Sequence, residues 1–247
     1  MKIVVAVKQV ATPDEDFDLD GLAVDEGALE WDLNEWDTFA MEAALELRDD
    51  AGEGEVVAVT VGNDEARDGL LTVLAMGADR AVHLSTDEVL DPLAIARLLA
   101  PVVREEAPDL VLCGVQSSDA VNGATGVALA GLLRLPRVAV VKKIDVDGGT
   151  ATVERELEGG LVERIRIPLP ALLTVQTGIN EPRYATLRGI RQASAKPMDV
   201  REVDAIEPGA RLVSLAPPAK GEGADMLDGG ADEIAARIAS IIKSKVA

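Results

Sequence analysis

The sequence predicts an α/β fold on a mainly parallel, doubly wound sheet. Short β-branched runs alternate with segments of helical spacing, the mark of parallel strands covered on both faces. The strand candidates are mostly apolar rather than alternating, so neither face is expected to meet water. The chain has 247 residues, is 48% hydrophobic and holds only five aromatic residues, so this core must be aliphatic. That is enough chain for one large domain or two small ones.

The first strand is expected at Ile3–Val7, because the opening Met1-Lys2-Ile3-Val4-Val5-Ala6-Val7-Lys8 is too short for a signal peptide and is followed by acids. Trp36, Ala40, Ala43, Ala44 and Leu47 then follow helical spacing, with Asn34 placed to cap and Asp37 three residues later. A strand at Val56–Val61 precedes a helix from Asp64 to Ala75 that stops at Gly77. Ala81–Leu84 is the next strand, and a helix from Asp91 to Glu106 ends before Pro108. Strands at Leu110–Cys113 and Val138–Val141 enclose a helix that begins near Thr125 and ends before Pro136. Thr150–Leu157 and Leu161–Ile167 flank Glu158-Gly159-Gly160 and read as a β-hairpin added to the sheet edge. Ala171–Val175 is the last strand expected. The domain therefore spans residues 1–207. Residues 208–247 form an arm rich in Pro and Gly, then an amphipathic helix through Ile234, Ile238, Ile241 and Ile242 that folds back or docks on another chain. No repeat of solenoid period is present.

Composition removes several functions. A net charge of -20 disfavours nucleic acid and anionic lipid, which need basic surface. No apolar run reaches the roughly 18 residues of a membrane span. A single cysteine, Cys113, and a single histidine, His83, exclude a disulfide framework and His-rich metal centres. His83 reads as a strand histidine and Cys113 as a buried thiol, and the run Asp14-Glu15-Asp16 with Asp18 and Asp20 as a solvated acidic loop. The charge is uneven. Residues 1–50 carry 15 acids against Lys2, Lys8 and Arg48, whereas residues 180–196 hold Arg183, Arg188, Arg191 and Lys196 against Glu181.

Two segments could carry function. Cys113-Gly114-Val115-Gln116-Ser117-Ser118-Asp119-Ala120-Val121-Asn122-Gly123-Ala124-Thr125-Gly126 follows a buried strand and enters an apolar helix. Open α/β sheets bind ligands at the carboxyl ends of strands, where a helix N-terminus favours phosphate. Gly123 and Gly126 would admit an anion, with Asn122 and Thr125 as polar contacts; an ordinary βα loop with a capping Thr is the alternative. No Walker or Gly-x-Gly-x-x-Gly pattern occurs. The second segment, Asn180–Ile190, sets Tyr184, Leu187 and Ile190 among Arg183, Arg188 and Arg191. It reads as a docking patch or as a peripheral helix packing Leu187 and Ile190 inward.

These residues resemble the β subunit of electron transfer flavoproteins. The hairpin carries the signature as Val153-Glu154-Arg155-Glu156-Leu157-Glu158-Gly159-Gly160, then Glu163-Arg164-Ile165 and Pro170-Ala171-Leu172-Leu173-Thr174. Val5-Ala6-Val7-Lys8, Ala75-Met76-Gly77-Ala78-Asp79-Arg80 and Asn180-Glu181-Pro182-Arg183-Tyr184-Ala185-Thr186-Leu187 extend the likeness along nearly the whole chain.

The resemblance implies a fold of the adenine-nucleotide α-hydrolase type and a heterodimer with an α subunit that holds FAD. It implies a structural AMP contacted by Ala6, Asn34, Glu35, Trp36, Asp37, Val61, Gly114, Gln116, Asp119, Asn122, Gly123, Ala124, Thr125 and Gly126, with Trp36 near the flavin. Tyr184, Leu187, Arg188, Ile190 and Arg191 would dock flavin dehydrogenases such as acyl-CoA dehydrogenases, with Leu187 as anchor, and electrons would pass on to a quinone oxidoreductase. A cytoplasmic electron carrier without catalytic residues of its own is expected. Relatives that hold a second FAD carry a more Asp-rich loop, and Ser118-Asp119-Ala120-Val121-Asn122-Gly123-Ala124-Thr125 favours AMP. A bifurcating subunit and a free-standing ATP-binding module related to stress proteins are the alternatives.

Overall fold

The computed structural model describes residues 1–15, 17–204, 206–217, 219 and 223–246. Asp16 of the acidic run and residues 218 and 220–222 of the arm lie outside them. Two compact units result, Met1–Val213 and Ser214–Ala247. Residues 208–213 go with the first unit, where Ala210 N donates to Asp91 Oδ2 at 2.9 Å.

In chain order the first unit contains β1 (Lys2–Ala6), β2 (Gln9–Pro13), β3 (Leu19–Asp20), β4 (Ala23–Val24), β5 (Leu29–Leu33), α1 (Glu35–Ala51), β6 (Glu55–Gly62) and α2 (Ala66–Met76). It continues with β7 (Arg80–Ser85), α3 (Pro92–Glu106), β8 (Leu110–Gly114), α4 (Thr125–Leu133), β9 (Arg137–Asp147), β10 (Thr150–Glu156), β11 (Val162–Pro168), β12 (Ala171–Val175), α5 (Leu187–Ala193) and β13 (Met198–Glu202). The second unit contains α6 (Ala231–Val246). Among the described residues, no helix is long and apolar enough to cross a membrane.

Nine strands form one sheet in the order β11-β10-β9-β12-β8-β1-β6-β7-β13. From β12 to β13 all pairs are parallel, and β9 joins β12 in the same sense. Alternate residues feed opposite faces. Ile3 and Val5 enter a cluster with Met41, Leu45, Leu70 and Leu74 of α1 and α2, whereas Val4 packs with Leu99, Val103 and Leu129 of α3 and α4. Full burial of such an aliphatic side chain is worth about 1.5–3 kcal/mol, so aliphatic residues alone sustain both layers.

The edge elaboration is larger than a hairpin. The strand expected at Val138–Val141 runs on to Asp147, so β9, β10 and β11 form an antiparallel extension. β9 changes partner at a bulge, where Val140 takes φ +62° and its N–H donates to Thr174 Oγ1 at 3.1 Å. A β-branched residue with positive φ is strained, and the bulge redirects the strand from its parallel neighbour to the antiparallel one. At the tip, Gly159 and Gly160 both adopt φ +75°, which side chains resist. The β2/β5 pair, the β3/β4 pair at the end of the acidic run, and edge strand β13 were not expected. Each is too short or too polar to leave a periodic signal.

Candidate functional site

From β1 the chain proceeds through β6 and β7 in one direction across the sheet, and β8 and β12 lie on the other side. The order therefore reverses between β1 and β8, and α/β sheets bind ligands in the crevice at such a point, outside the carboxyl ends of the strands. A cavity of about 140 Å³ lies there. Its walls are the end of β1 and the following turn (Ala6, Val7, Lys8), the entry to α1 (Asn34, Asp37), the end of β6 (Val59, Thr60, Val61) and the loop from β8 into α4. Leu90, Pro92, Ile95 and Leu99 close an apolar side.

Asn34 and Asp37 hold this crevice together instead of forming a capping box. Asn34 occupies the N-cap position of α1 but makes no side-chain cap. Its Nδ2 donates to Gln116 O at 2.9 Å, and its Oδ1 accepts from Ser118 N at 3.2 Å, so the amide fixes the β8–α4 loop. Asp37 accepts from Lys8 N at 2.9 Å and from Gly114 N at 2.8 Å, which ties α1 to the ends of β1 and β8. Burial pushes its carboxyl up to about 6, against the opposing pull of the bonds from Asn34, Gly114 and Lys8. Burial, with Asp37 nearby, also pushes the Cys113 thiol well above its usual range, so this thiol stays protonated and inert.

The N-terminus of α4 differs from that of α3. At α3, Asp91 Oδ1 accepts from Leu93 N at 2.8 Å and Ala94 N at 2.9 Å, which satisfies the first turn. At α4 the cap residue is Ala124, which supplies no side-chain acceptor, and Thr125 is the first helical residue rather than the cap. The first-turn N–H groups of α4 are thus left for an anion or water. Among the described residues, Lys8 is the only Lys or Arg lining the cavity. Its Nζ lies 2.6 Å from Asp119 Oδ2 and 3.3 Å from Ser117 Oγ.

Two glycines of this region allow close packing. A Cβ on Gly126 would lie 2.5 Å from Cys113 Sγ and 2.8 Å from Thr174 Cγ2, so this glycine seats α4 against the sheet. A Cβ on Gly114 would lie 2.5 Å from both Asp37 Oδ1 and Trp36 Cβ, so this one lets α1 approach β8. A Cβ on Gly123 would make only an ordinary contact, 3.7 Å from Val115 O, but its φ of +59° favours glycine.

Of the residues expected at the site, Ala6, Asn34, Asp37, Val61, Gly114, Gln116, Asn122, Gly123, Ala124, Thr125 and Gly126 line this one cavity. Asp119 reaches its rim through Lys8. Glu35 is exposed and lies outside the lining, as does Trp36, whose Nε1 donates to Gln176 Oε1 at 2.9 Å. Lys8 and the apolar side from α3 were not expected. Lys8 in the run Val7-Lys8-Gln9 was a usable signal, since a lysine directly after a buried first strand falls at its carboxyl end. His83 is buried in β7 with Nε2 2.9 Å from Gly62 O, away from the cavity lining.

The segment expected to dock a partner lies elsewhere. α5 is a short peripheral helix, yet Tyr184, Leu187 and Ile190 are 94%, 78% and 56% exposed, so neither Leu187 nor Ile190 packs inward. The local positive charge is smaller than the sequence implies. Arg183 Nη2 pairs with Glu42 Oε1 at 2.9 Å, and Lys196 Nζ donates to Leu74 O at 2.8 Å and Ala78 O at 2.6 Å. Arg188 and Arg191 are left exposed and, among the described residues, enter no ion pair.

Residues 21–206 match the electron transfer flavoprotein domain family. The chain is 43% identical to the electron transfer flavoprotein subunit beta of Methylophilus methylotrophus, with 98% of each chain covered. It is 33% identical to the subunit beta of Bacillus subtilis over 99% of this chain and 98% of that one. With the mitochondrial subunit beta of Oryza sativa subsp. japonica it shares 41% identity over 79% of each chain.

Proposed function

Since the chain belongs to the family of electron transfer flavoprotein β subunits, we propose that it pairs with an α subunit carrying FAD and helps pass electrons from flavin dehydrogenases, acyl-CoA dehydrogenases among them, to a quinone oxidoreductase in the cytoplasm. In this reading the crevice between β1 and β8 holds AMP as a structural ligand. The observation that carries it is that the uncapped first turn of α4 and Lys8, the single cation of the lining among the described residues, face one cavity. A phosphate meets both the backbone N–H groups and the ammonium there. The apolar side formed by Ile95 and Leu99 suits a base, and the polar loop from Gln116 to Thr125 suits a ribose and phosphate.

The flavin, when bound in the complex, supplies the redox chemistry. This chain's residues bind, orient and present. Asn34 and Asp37 lock the crevice walls, Trp36 stands at the start of α1 on the expected flavin side, and α6 docks on the α subunit through Ile238, Ile241 and Ile242, which are exposed in its own unit. The exposed face formed by Tyr184, Leu187, Arg188, Ile190 and Arg191 meets the dehydrogenase. The test is mass spectrometry of nucleotides released by denaturing the copurified heterodimer. One FAD and one AMP per heterodimer are expected; two FAD and no AMP would overturn the reading in favour of a bifurcating subunit.

A further inference from the structure

Residues 181–186, which lead into α5, have no regular secondary structure, so tertiary contacts set their path. The strongest is at Arg183. Glu42 of α1 is buried, and its carboxylate accepts from Arg183 N at 3.0 Å, from Nε at 2.9 and 3.0 Å, and from Nη2 at 2.9 Å. Asp49, two turns further along α1, accepts from Nη1 at 3.2 Å. Asn180 Nδ2 donates to Phe39 O at 3.1 Å. A side-chain pair holding both a guanidinium and the backbone N–H of the same residue fixes position as well as charge. Arg183 directly precedes Tyr184 and lies four residues before Leu187, the two most exposed large side chains of the segment.

We infer that Glu42 is a positioning residue for the α5 surface: its buried carboxylate fixes the backbone at Arg183, so that Tyr184 and Leu187 reach a partner already oriented. The inference rests on the reading that this surface meets the dehydrogenase. A surface that must be ordered during docking binds more weakly than one ordered beforehand, and the loss falls on encounter rather than on electron transfer within the complex. Glu42 lies outside the cavity lining, so nucleotide and flavin content should not depend on it.

The test uses the intact heterodimer carrying Glu42→Gln, Arg183→Lys or Leu187→Ala, with steady-state reduction by an acyl-CoA dehydrogenase and amide hydrogen exchange as readouts. Glu42→Gln should raise KM for the dehydrogenase about 3- to 10-fold at unchanged kcat and flavin content, with faster exchange confined to residues 181–193. Arg183→Lys, which keeps the charge and loses the fork, should give a smaller change of the same kind. Adding Glu42→Gln to Leu187→Ala should raise KM less than it does alone, because the anchor being oriented is already gone. Faster exchange with unchanged KM, while Leu187→Ala raises KM, would overturn the positioning role and leave the docking surface in place. An unchanged KM in Leu187→Ala would instead overturn the docking surface itself, and the positioning role with it.

Discussion

Asp37 Oδ1 lies 2.8 Å from the backbone nitrogen of Gly114, and this bond joins the start of α1 to the end of β8 where the strand order reverses. The other oxygen of the same carboxylate accepts from Lys8 N, so one buried group spans the ends of both central strands. The crevice walls are therefore held best by the ionised form of Asp37, whose two oxygens both act only as acceptors.

Nucleotide retention should fall as pH drops through about 6, the value to which burial raises Asp37. Protonation relieves the buried charge but turns one oxygen into a donor facing Lys8 N or Gly114 N. Because the folded value lies above the ordinary one, the ionised group costs folding stability that is absent below about 3.8 and fully felt above about 6. Asp37→Asn should lose nucleotide at neutral pH and flatten this pH dependence. Gel filtration of the heterodimer across pH 5–8, followed by nucleotide quantification, checks both.

Gly114→Ala should separate α1 from β8. The added methyl would meet Asp37 Oδ1 and Trp36 Cβ at 2.5 Å, and overpacking of this kind costs about 1–3 kcal/mol. Denaturant midpoints should drop accordingly, and nucleotide should be lost. Gly123→Ala, strained only by its φ, should cost about 1–2 kcal/mol.

Lys8→Met should weaken AMP binding to the nucleotide-free heterodimer about 10- to 100-fold, the range for removing one charge-assisted contact. Asp119→Asn frees Lys8 from its ion pair and should leave affinity unchanged or tighter. Titration calorimetry distinguishes the two, and equal weakening in both would remove Lys8 from the phosphate site.

Glu106→Gln should destabilise the fold at neutral pH and cease to matter in acid. Arg80 and Lys2 hold this carboxyl at about 2 despite its burial. A depressed value contributes stability that is present above about 4.5 and lost as pH falls toward 2. Urea titrations should show a gap of about 1–3 kcal/mol between wild type and variant at pH 7, and a smaller one at pH 3.

The parallel sheet, its aliphatic layers, the α1–α4 helices and the glycine-turned hairpin are legible in the residues alone, because runs such as Ile3–Val5 and Leu110–Cys113 and spacings such as Leu70, Val73 and Leu74 are local patterns that burial enforces. The sequence also marked the β8–α4 loop, since a polar, glycine-containing stretch between a buried strand and an apolar helix is itself a local pattern. Tertiary structure alone decided how side chains in that loop and in α1 are used. Asn34 occupies a cap position and yet bonds Gln116 and Ser118, more than 80 residues away. Gly126 serves packing against Cys113, and Arg183 and Lys196 leave the basic stretch for Glu42 and the carbonyls of Leu74 and Ala78. Periodicity records which face of an element is buried; a hydrogen bond between distant segments leaves no such trace, because its partner is set by the order of strands across the sheet.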